Sequence, residues 1–142
     1  MSGRELGAAH DAMRERCRRG EWAELGPLPD GDDDLPDYDD EDFWRGRTID
    51  GAWLADFVTS AQSHVHHRGV LVRGARIVGG LDLEGAELSR RLALVRCQLG
   101  AHAVDLRGGR ARRVDLSGLT GGVGWILATL AAASFTQVIR RE

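Results

Sequence analysis

Leucine and isoleucine recur between Ile77 and Leu99 at alternating gaps of six and five residues, and this spacing limits the folds open to the chain. Two positions before each of them stands a second small or apolar residue, so each unit offers a short strand with one buried face. A helix needs apolar residues three or four apart, and a hairpin meander needs longer strands with paired turns. We therefore predict a short β-solenoid with a core of Ile77, Leu83, Leu88, Leu94, Leu99, Leu106 and Leu116.

Individual units of this stretch resemble pentapeptide repeats, in which a small and a polar residue precede Leu or Phe. AELSR (Ala86–Arg90) and CQLGA (Cys97–Ala101) match this pattern, and VDLSG (Val114–Gly118) and ARIVG (Ala75–Gly79) match it more loosely. The resemblance implies a mainly β fold, a right-handed quadrilateral β-helix whose interior takes the Leu and the small residue two positions earlier.

The units also depart from the simple repeat, because several have six residues and because Leu81 and Leu92 stand where Ala is usual. This is similar to a divergent bacterial group built on the pattern GA-x-I-x-G-x-LDL-x-GA-x-L, in which a helical region precedes the coils. Some members of that group carry the label "membrane-associated oxidoreductase". No redox motif in this sequence supports the label, and the repeat pattern is informative about fold rather than activity.

The rest of the chain is predicted to cover the two ends of the repeats, with N-terminal capping helices and a C-terminal apolar helix. An apolar stripe at Leu6, Ala9, Met13 and Cys17 indicates the first helix. We predict an N-terminal helix over 1–26, an acidic disordered linker over 27–42, a capping helix over 43–67, the solenoid over 68–118 and an apolar segment over 119–142.

The predicted capping helix has apolar residues every fourth position, at Ile49, Trp53, Phe57 and Ala61, with Thr48 or Asp50 as its N-cap. A solenoid end exposes unpaired strand edges, which such an aromatic helix would cover. An aromatic ligand-binding groove is the alternative role for these side chains.

The C-terminal segment Leu119–Ile139 carries no charge over 21 residues, which is long enough for a helix to cross a bilayer. Three alternatives stay open for it: a membrane anchor, a helix that covers the open solenoid end or pairs with a second copy, and a disordered tail.

Charge is distributed unevenly along the chain, although the net charge is only −3. Nine acidic residues fall within 30–42, whereas residues 68–118 hold ten arginines and five acidic residues. A basic surface of this kind favours an acidic protein or an anionic lipid surface as partner. We predict an interaction surface formed by Arg73, Arg76, Arg90, Arg91, Arg96, Arg107, Arg110, Arg112 and Arg113.

Metal and cofactor sites are not indicated by the sequence. Asp30, Asp32, Asp34 and Glu41 fall at EF-hand-like spacing, but Leu35 stands where the turn needs glycine. The cluster His64–His67 lacks further ligands at zinc spacing and reads as a polar junction. We predict no cofactor, no metal and no catalytic residue.

The function that these features favour is a non-enzymatic scaffold or protein-interaction module. The alternatives are an oxidoreductase, as in the labelled relatives, and an arginine-rich nucleic-acid-binding surface. Because Cys17 and Cys97 form no disulfide framework and no signal peptide is evident, we expect a cytoplasmic protein, at the inner face of the cell membrane if 119–139 inserts. A homo-oligomer would add to the small core of so short a repeat array.

Overall fold

The three-dimensional arrangement is given by a computed structural model of the chain. It describes residues 3–29, 35–60, 64–88, 90–100, 104–111, 113–117, 126–127 and 138–141.

The described part of the chain contains three helices: α1 (Gly3–Arg19), α2 (Glu41–Trp44) and α3 (Gly51–Thr59). Ala9, Met13 and Cys17 bury one face of α1, as their spacing predicts, and Gly20 follows its end with a φ of +76°. The carboxylate of Asp50 accepts a hydrogen bond from the Ala52 backbone N–H and caps α3. The prediction of Asp50 as an N-cap is confirmed.

The strands are short, and they lie between the helices and beyond them. They are β1 (Ala23–Glu24), β2 (Thr48–Asp50), β3 (Val70–Arg73), β4 (Arg76–Val78), β5 (Leu81–Asp82), β6 (Glu87–Leu88), β7 (Leu92–Val95), β8 (Val104–Asp105), β9 (Arg110–Ala111), β10 (Val114–Ser117), β11 (Ile126–Leu127) and β12 (Val138–Arg141).

All strand pairing in the described residues is parallel, and it forms four small sheets. The largest has the order β1-β3-β7-β10-β12, the second has the order β11-β8-β5, and β2-β4 and β6-β9 form pairs. Val70 pairs with Leu92 and Leu92 pairs with Val114, an offset of 22 residues each time. Residues 22 apart therefore become neighbours on β3, β7 and β10, the three central strands of the largest sheet.

One hydrophobic core connects the sheets with α1 and α3. Met13 and Cys17 of α1 and Leu54 and Phe57 of α3 pack into it beside the strand residues. Side chains buried on both faces of short parallel strands account for apolar residues at successive positions, as in Leu92-Ala93-Leu94. All seven residues predicted for the core are buried, namely Ile77, Leu83, Leu88, Leu94, Leu99, Leu106 and Leu116.

The predicted fold class, a mainly β quadrilateral β-helix with an apolar C-terminal helix, is wrong. The chain mixes helices with short parallel strands in small sheets, and Ile49 lies in strand β2, paired with Ile77, rather than in a capping helix. In a sequence, an amphipathic helix and a strand are distinguished by the period of their apolar residues. Here Ile49 lies in β2 and Trp53 lies in α3, so their four-residue spacing crosses the junction of two elements. Periodicity therefore misassigned the start of that helix.

The C-terminal apolar helix is also corrected by the structure. The described parts of the predicted segment 119–139 lie in β11 and β12, which pair with β8 and β10. The remainder of that segment lies outside the described residues. An uncharged run is typical of a strand buried in a parallel sheet as well as of a helix, so apolarity alone did not distinguish the two. Within the described ranges, no helix is both long and apolar enough to span a membrane.

Candidate functional site

Arg76, which was predicted to lie on the interaction surface, is instead buried at the start of β4 with a relative exposure of 2%. Its Nε donates to Thr48 Oγ1 at 3.1 Å, and Nη1 donates to the Tyr38 carbonyl at 2.9 Å. Nη1 and Nη2 also donate to the two carboxylate oxygens of Glu41, at 2.8 and 3.1 Å. This side chain is a clamp between β4, β2 and α2, and it is not available to a partner.

Further hydrogen bonds hold the described parts of the predicted acidic linker, 27–29 and 35–42, against the sheets. Arg96 Nη1 donates to the Pro29 carbonyl at 3.0 Å, and Gln98 Nε2 donates to the Pro36 carbonyl at 3.4 Å. Arg47 donates to the Pro27 carbonyl. These residues are therefore fixed at several points, while 30–34, with three of the EF-hand-like aspartates, lie outside the described residues.

Two more of the predicted surface arginines are occupied within the chain. Arg73 lies 3.8 Å from Glu24, with its guanidinium over the Trp22 ring. Arg107 binds Asp105 at 2.8 Å and lies 3.8 Å from Glu84.

Asp82, Glu84 and Asp105 form an acidic cluster whose carboxylate oxygens lie within 4.8 Å of one another. Arg107 lies beside this cluster and contacts two of its members. The hydrogen bond from Arg107 lowers the pKa of Asp105, and the same contact raises the pKa of Arg107. The cluster is thus paired with an arginine of the same chain, which offsets part of its negative charge.

Other arginines lie just before the N-terminal ends of β3, β7 and β10 in the largest sheet. We call this surface the basic corner, and it consists of Arg68, Arg90, Arg91 and Arg113, with His66 and His67. The 22-residue offset brings them together, because the Val70 N–H donates to the Arg91 carbonyl and the Leu92 N–H donates to the Arg113 carbonyl. Gly69 occupies the equivalent position before β3, with a φ of +98°. A Cβ there would approach the Arg91 carbonyl oxygen to 2.2 Å, which explains the glycine.

The electrostatics of the basic corner are dominated by positive charge. Partial burial and the charges of His67, Arg68 and Arg90 lower the pKa of His66. Arg91 lies 3.6 Å from Asp115, but neither Arg68 nor Arg90 forms an ion pair in the part of the chain that the structure describes, and both are exposed. Arg110 is exposed on β9 opposite Glu87, and the predicted surface residue Arg112 lies outside the described residues.

A cavity of about 280 Å³ opens beside the basic corner, between α3 and β7. Its described polar lining consists of Ser60, His64, Arg90 and Arg91. Phe57 and Leu92 contribute to its apolar wall. The Nε of Arg91 is buried and has no hydrogen-bond partner among the described residues, as is also true of the Arg113 Nε.

A second, larger cavity of about 570 Å³ lies between α1 and α3. The Trp53 and Phe57 rings line it in a nearly parallel stack, with centroids 5.0 Å apart. Arg14 and Arg18 also line it, but they are paired with Asp11 and Glu15 of their own helix. Its charges are therefore largely satisfied within α1.

His10 connects α1 to the cap of α3 and stacks on Trp53, with centroids 4.0 Å apart. Its Nε2 accepts a hydrogen bond from the Asp50 backbone N–H at 3.1 Å, which requires that nitrogen to be unprotonated. Burial lowers the pKa of His10; Asp50 and Asp11 oppose this effect and Arg14 reinforces it. The folded state therefore favours the neutral ring.

We expect the free energy of unfolding to fall as the pH drops below 6.5, the ordinary pKa of histidine. In that range the unfolded chain binds more protons than the folded chain, because the pKa values of His10 and His66 are lowered on folding. Urea denaturation of the wild type and of His10→Gln at several pH values measures the effect. The variant should be less stable near neutral pH, by about 1 kcal/mol for the lost ring stack, but less sensitive to acid. An equal pH dependence in both proteins would show that His10 does not carry it.

Comparison of the chain with protein-family models, with curated protein sequences and with solved structures returns no match. The resemblance to pentapeptide-repeat proteins stays a prediction.

Sequence reasoning named Arg90, Arg91 and Arg113 for the surface but missed Arg68 and His66. The signal that could have found Arg68 is its 22-residue spacing from Arg90, which equals the strand offset. The unpaired Nε of Arg91 had no sequence signal, because it depends on which neighbours surround the side chain.

Proposed function

We propose that this protein is a non-enzymatic interaction module that binds an acidic polypeptide segment through its basic corner. The observation that carries the proposal is the position of Arg68 and Arg90, each two residues before one of the paired strands β3 and β7, where both are exposed and neither forms an ion pair among the described residues. Exposed guanidinium groups at equivalent positions before adjacent strands suit a run of carboxylates, since each can bind one in a bidentate manner.

An acidic polypeptide is favoured because Arg76 already binds a carboxylate of the chain's own acidic segment in this bidentate manner. Arg76 donates hydrogen bonds to the Glu41 carboxylate and to the Tyr38 carbonyl. Arg96 and Arg47 donate to backbone carbonyls of 27–29. The two outermost arginines of the basic corner have no such segment among the described residues. A partner with a similar run of Asp and Glu would supply it.

Nucleic acid is less well supported, because single-stranded binding sites combine basic residues with exposed aromatic rings that stack on bases. The described aromatic side chains are engaged elsewhere. Trp22 lies under Arg73, Tyr38 lies beside Arg76, and Trp53 stacks on His10.

A thiol-based oxidoreductase is also disfavoured by the state of the two cysteines. Burial raises the pKa of the Cys17 thiol to about 11 and that of Cys97 to about 12, so neither provides a thiolate at neutral pH. Two buried cysteines that are not joined in a disulfide among the described residues support our further proposal of a cytoplasmic location.

The proposal predicts salt-dependent binding of a fluorescent peptide rich in Asp and Glu. Reversal of two charges, in Arg68→Glu with Arg90→Glu, should weaken binding about tenfold or more, because attraction is replaced by repulsion. The matched control is Arg4→Glu with Arg45→Glu, which reverses two exposed charges elsewhere and should bind like the wild type.

Two outcomes would contradict the proposal. Equal loss of binding in both double variants would mean that only net charge matters. Binding of the wild type to phosphatidylserine vesicles without binding of the peptide would identify a membrane surface, rather than an acidic polypeptide, as the partner.

A further inference from the structure

The cavity beside the basic corner is lined by hydrogen-bond donors, without an acidic group among its described lining residues. Its described polar lining is two guanidinium groups, Arg90 and Arg91, one imidazole, His64, and one hydroxyl, Ser60. No carboxylate occurs among the described lining residues. The cavity differs in this respect from the larger one between α1 and α3, where Asp11, Glu15 and Asp56 line the wall beside the arginines.

The Nε of Arg91 adds an independent observation. It is buried and unpaired within the described ranges, although its neighbouring Nη2 lies 3.6 Å from Asp115. The Arg91 side chain as a whole is 34% exposed, so an anion in the cavity would meet the guanidinium at its accessible atoms and offset the charge of the group electrostatically.

The remaining wall of the cavity is apolar, with Phe57 and Leu92 among its residues. A simple inorganic ion would leave this surface in contact with water. At about 280 Å³ the cavity is at the lower end of the size range of small-molecule sites. The occupant should therefore be small and should have one charged and one apolar end.

We propose that this cavity binds a phosphate monoester with a short apolar substituent, the phosphate on Arg90, Arg91, His64 and Ser60 and the substituent against Phe57 and Leu92. Several donors arranged around one point suit a tetrahedral group with three terminal oxygens, and guanidinium groups bind such oxygens in pairs. The inference goes beyond the acidic-polypeptide function, because it concerns a separate ligand and shares only Arg90 and Arg91 with that surface.

The test is isothermal titration of the whole protein with butyl phosphate, inorganic phosphate and butanol. Butyl phosphate should bind about tenfold or more tightly than inorganic phosphate, since each buried methylene contributes about fourfold. Butanol should not bind measurably. Equal affinity for butyl phosphate and inorganic phosphate would overturn the apolar part of the site, and binding of butanol alone would overturn the anionic part.

Variants locate the ligand. Arg91→Gln should weaken butyl phosphate binding about tenfold or more, and because it also removes the contact with Asp115, thermal unfolding must first show that it folds. Arg90 is exposed, so Arg90→Gln should leave the fold intact, and it should weaken butyl phosphate binding to the same extent. Arg73→Gln, at the far end of β3 in the same sheet, is the control and should leave the affinity unchanged. If both Arg90→Gln and Arg91→Gln fold and bind like the wild type, the cavity is not the site.

A second experiment, flotation of the protein with vesicles that contain phosphatidic acid, distinguishes a soluble phosphate monoester from a lipid headgroup as the ligand. Binding of butyl phosphate alone identifies a soluble ligand, and flotation alone, abolished by Arg90→Gln, identifies a lipid headgroup. Absence of both overturns the proposal. Arg68 does not line the cavity, so Arg68→Glu should reduce peptide binding and leave butyl phosphate binding intact, which separates failure of this inference from failure of the proposed function.

Discussion

Arg76→Ala is expected to lower the free energy of unfolding by about 3 kcal/mol, close to the cost of removing a large buried side chain. The substitution removes a buried guanidinium that hydrogen-bonds Thr48, Tyr38 and Glu41 at once. It would leave a cavity at the start of β4 and release α2 from the sheet. Equilibrium urea unfolding followed by tryptophan fluorescence measures the loss, since the buried Trp44 belongs to α2.

Two further variants test whether the hydrogen-bond geometry of Arg76, and not only its charge, stabilises the fold. Arg76→Lys should recover little of the stability, because an ammonium group cannot reproduce the two parallel hydrogen bonds to Glu41. Arg110→Ala removes an exposed arginine and should change the free energy of unfolding by less than about 0.5 kcal/mol. A loss at Arg76 no larger than that at Arg110 would refute the assignment of Arg76 as a structural clamp.

Gly51→Ala is expected to destabilise the protein by about 3 kcal/mol or more, at the upper end of the cost of overpacking. Gly51 is the first residue of α3, and a Cβ there would approach the Gly80 carbonyl oxygen to 1.6 Å. Because the obstructing atom belongs to the backbone, no side-chain rotation relieves the contact. The helix would have to move away from the sheets, and Phe57 and Ser60 would move with it, so the cavity beside the basic corner should be lost as well.

The control for this prediction is Gly7→Ala, in the second turn of α1, where a Cβ would meet no atom within 4 Å. Alanine has the higher helix propensity, so this variant should be more stable than the wild type by about 0.5–1 kcal/mol. Thermal unfolding of the two variants should therefore give shifts of opposite sign. A Gly51→Ala protein with wild-type stability would mean that α3 does not lie so close to residue 80.

The local features of the fold were largely readable from the residues. The apolar stripe of Ala9, Met13 and Cys17 predicted a buried face of α1, and Asp50 was recognised as a helix cap. These features depend on contacts within a few residues. The assignment of the whole to a mainly β class failed, since residues before 68 contribute helices and strands alike, and the C-terminal apolar run contains strands.

The candidate site was predictable only in part, and Arg76 and Arg90 show why. Both were assigned to one surface because both are arginines of the basic stretch 68–118. In the structure Arg76 is enclosed by α2 and β2, whereas Arg90 is exposed beside Arg68. The difference depends on contacts with residues that are remote in sequence, such as Glu41, which lies 35 positions before Arg76. The residues next to an arginine in the sequence carry no information about such contacts.

From its residues alone, the chain's distribution of charge and the identity of its buried leucines could be established, because side-chain polarity governs burial irrespective of the partner. The pairing of β3, β7 and β10 at an offset of 22 residues depends on the tertiary structure, and so does the packing of the acidic segment against Arg76 and Arg96. Both bring together groups that are remote along the chain. The hydrogen bonds that select one such arrangement form only once the backbone has brought them within about 3 Å.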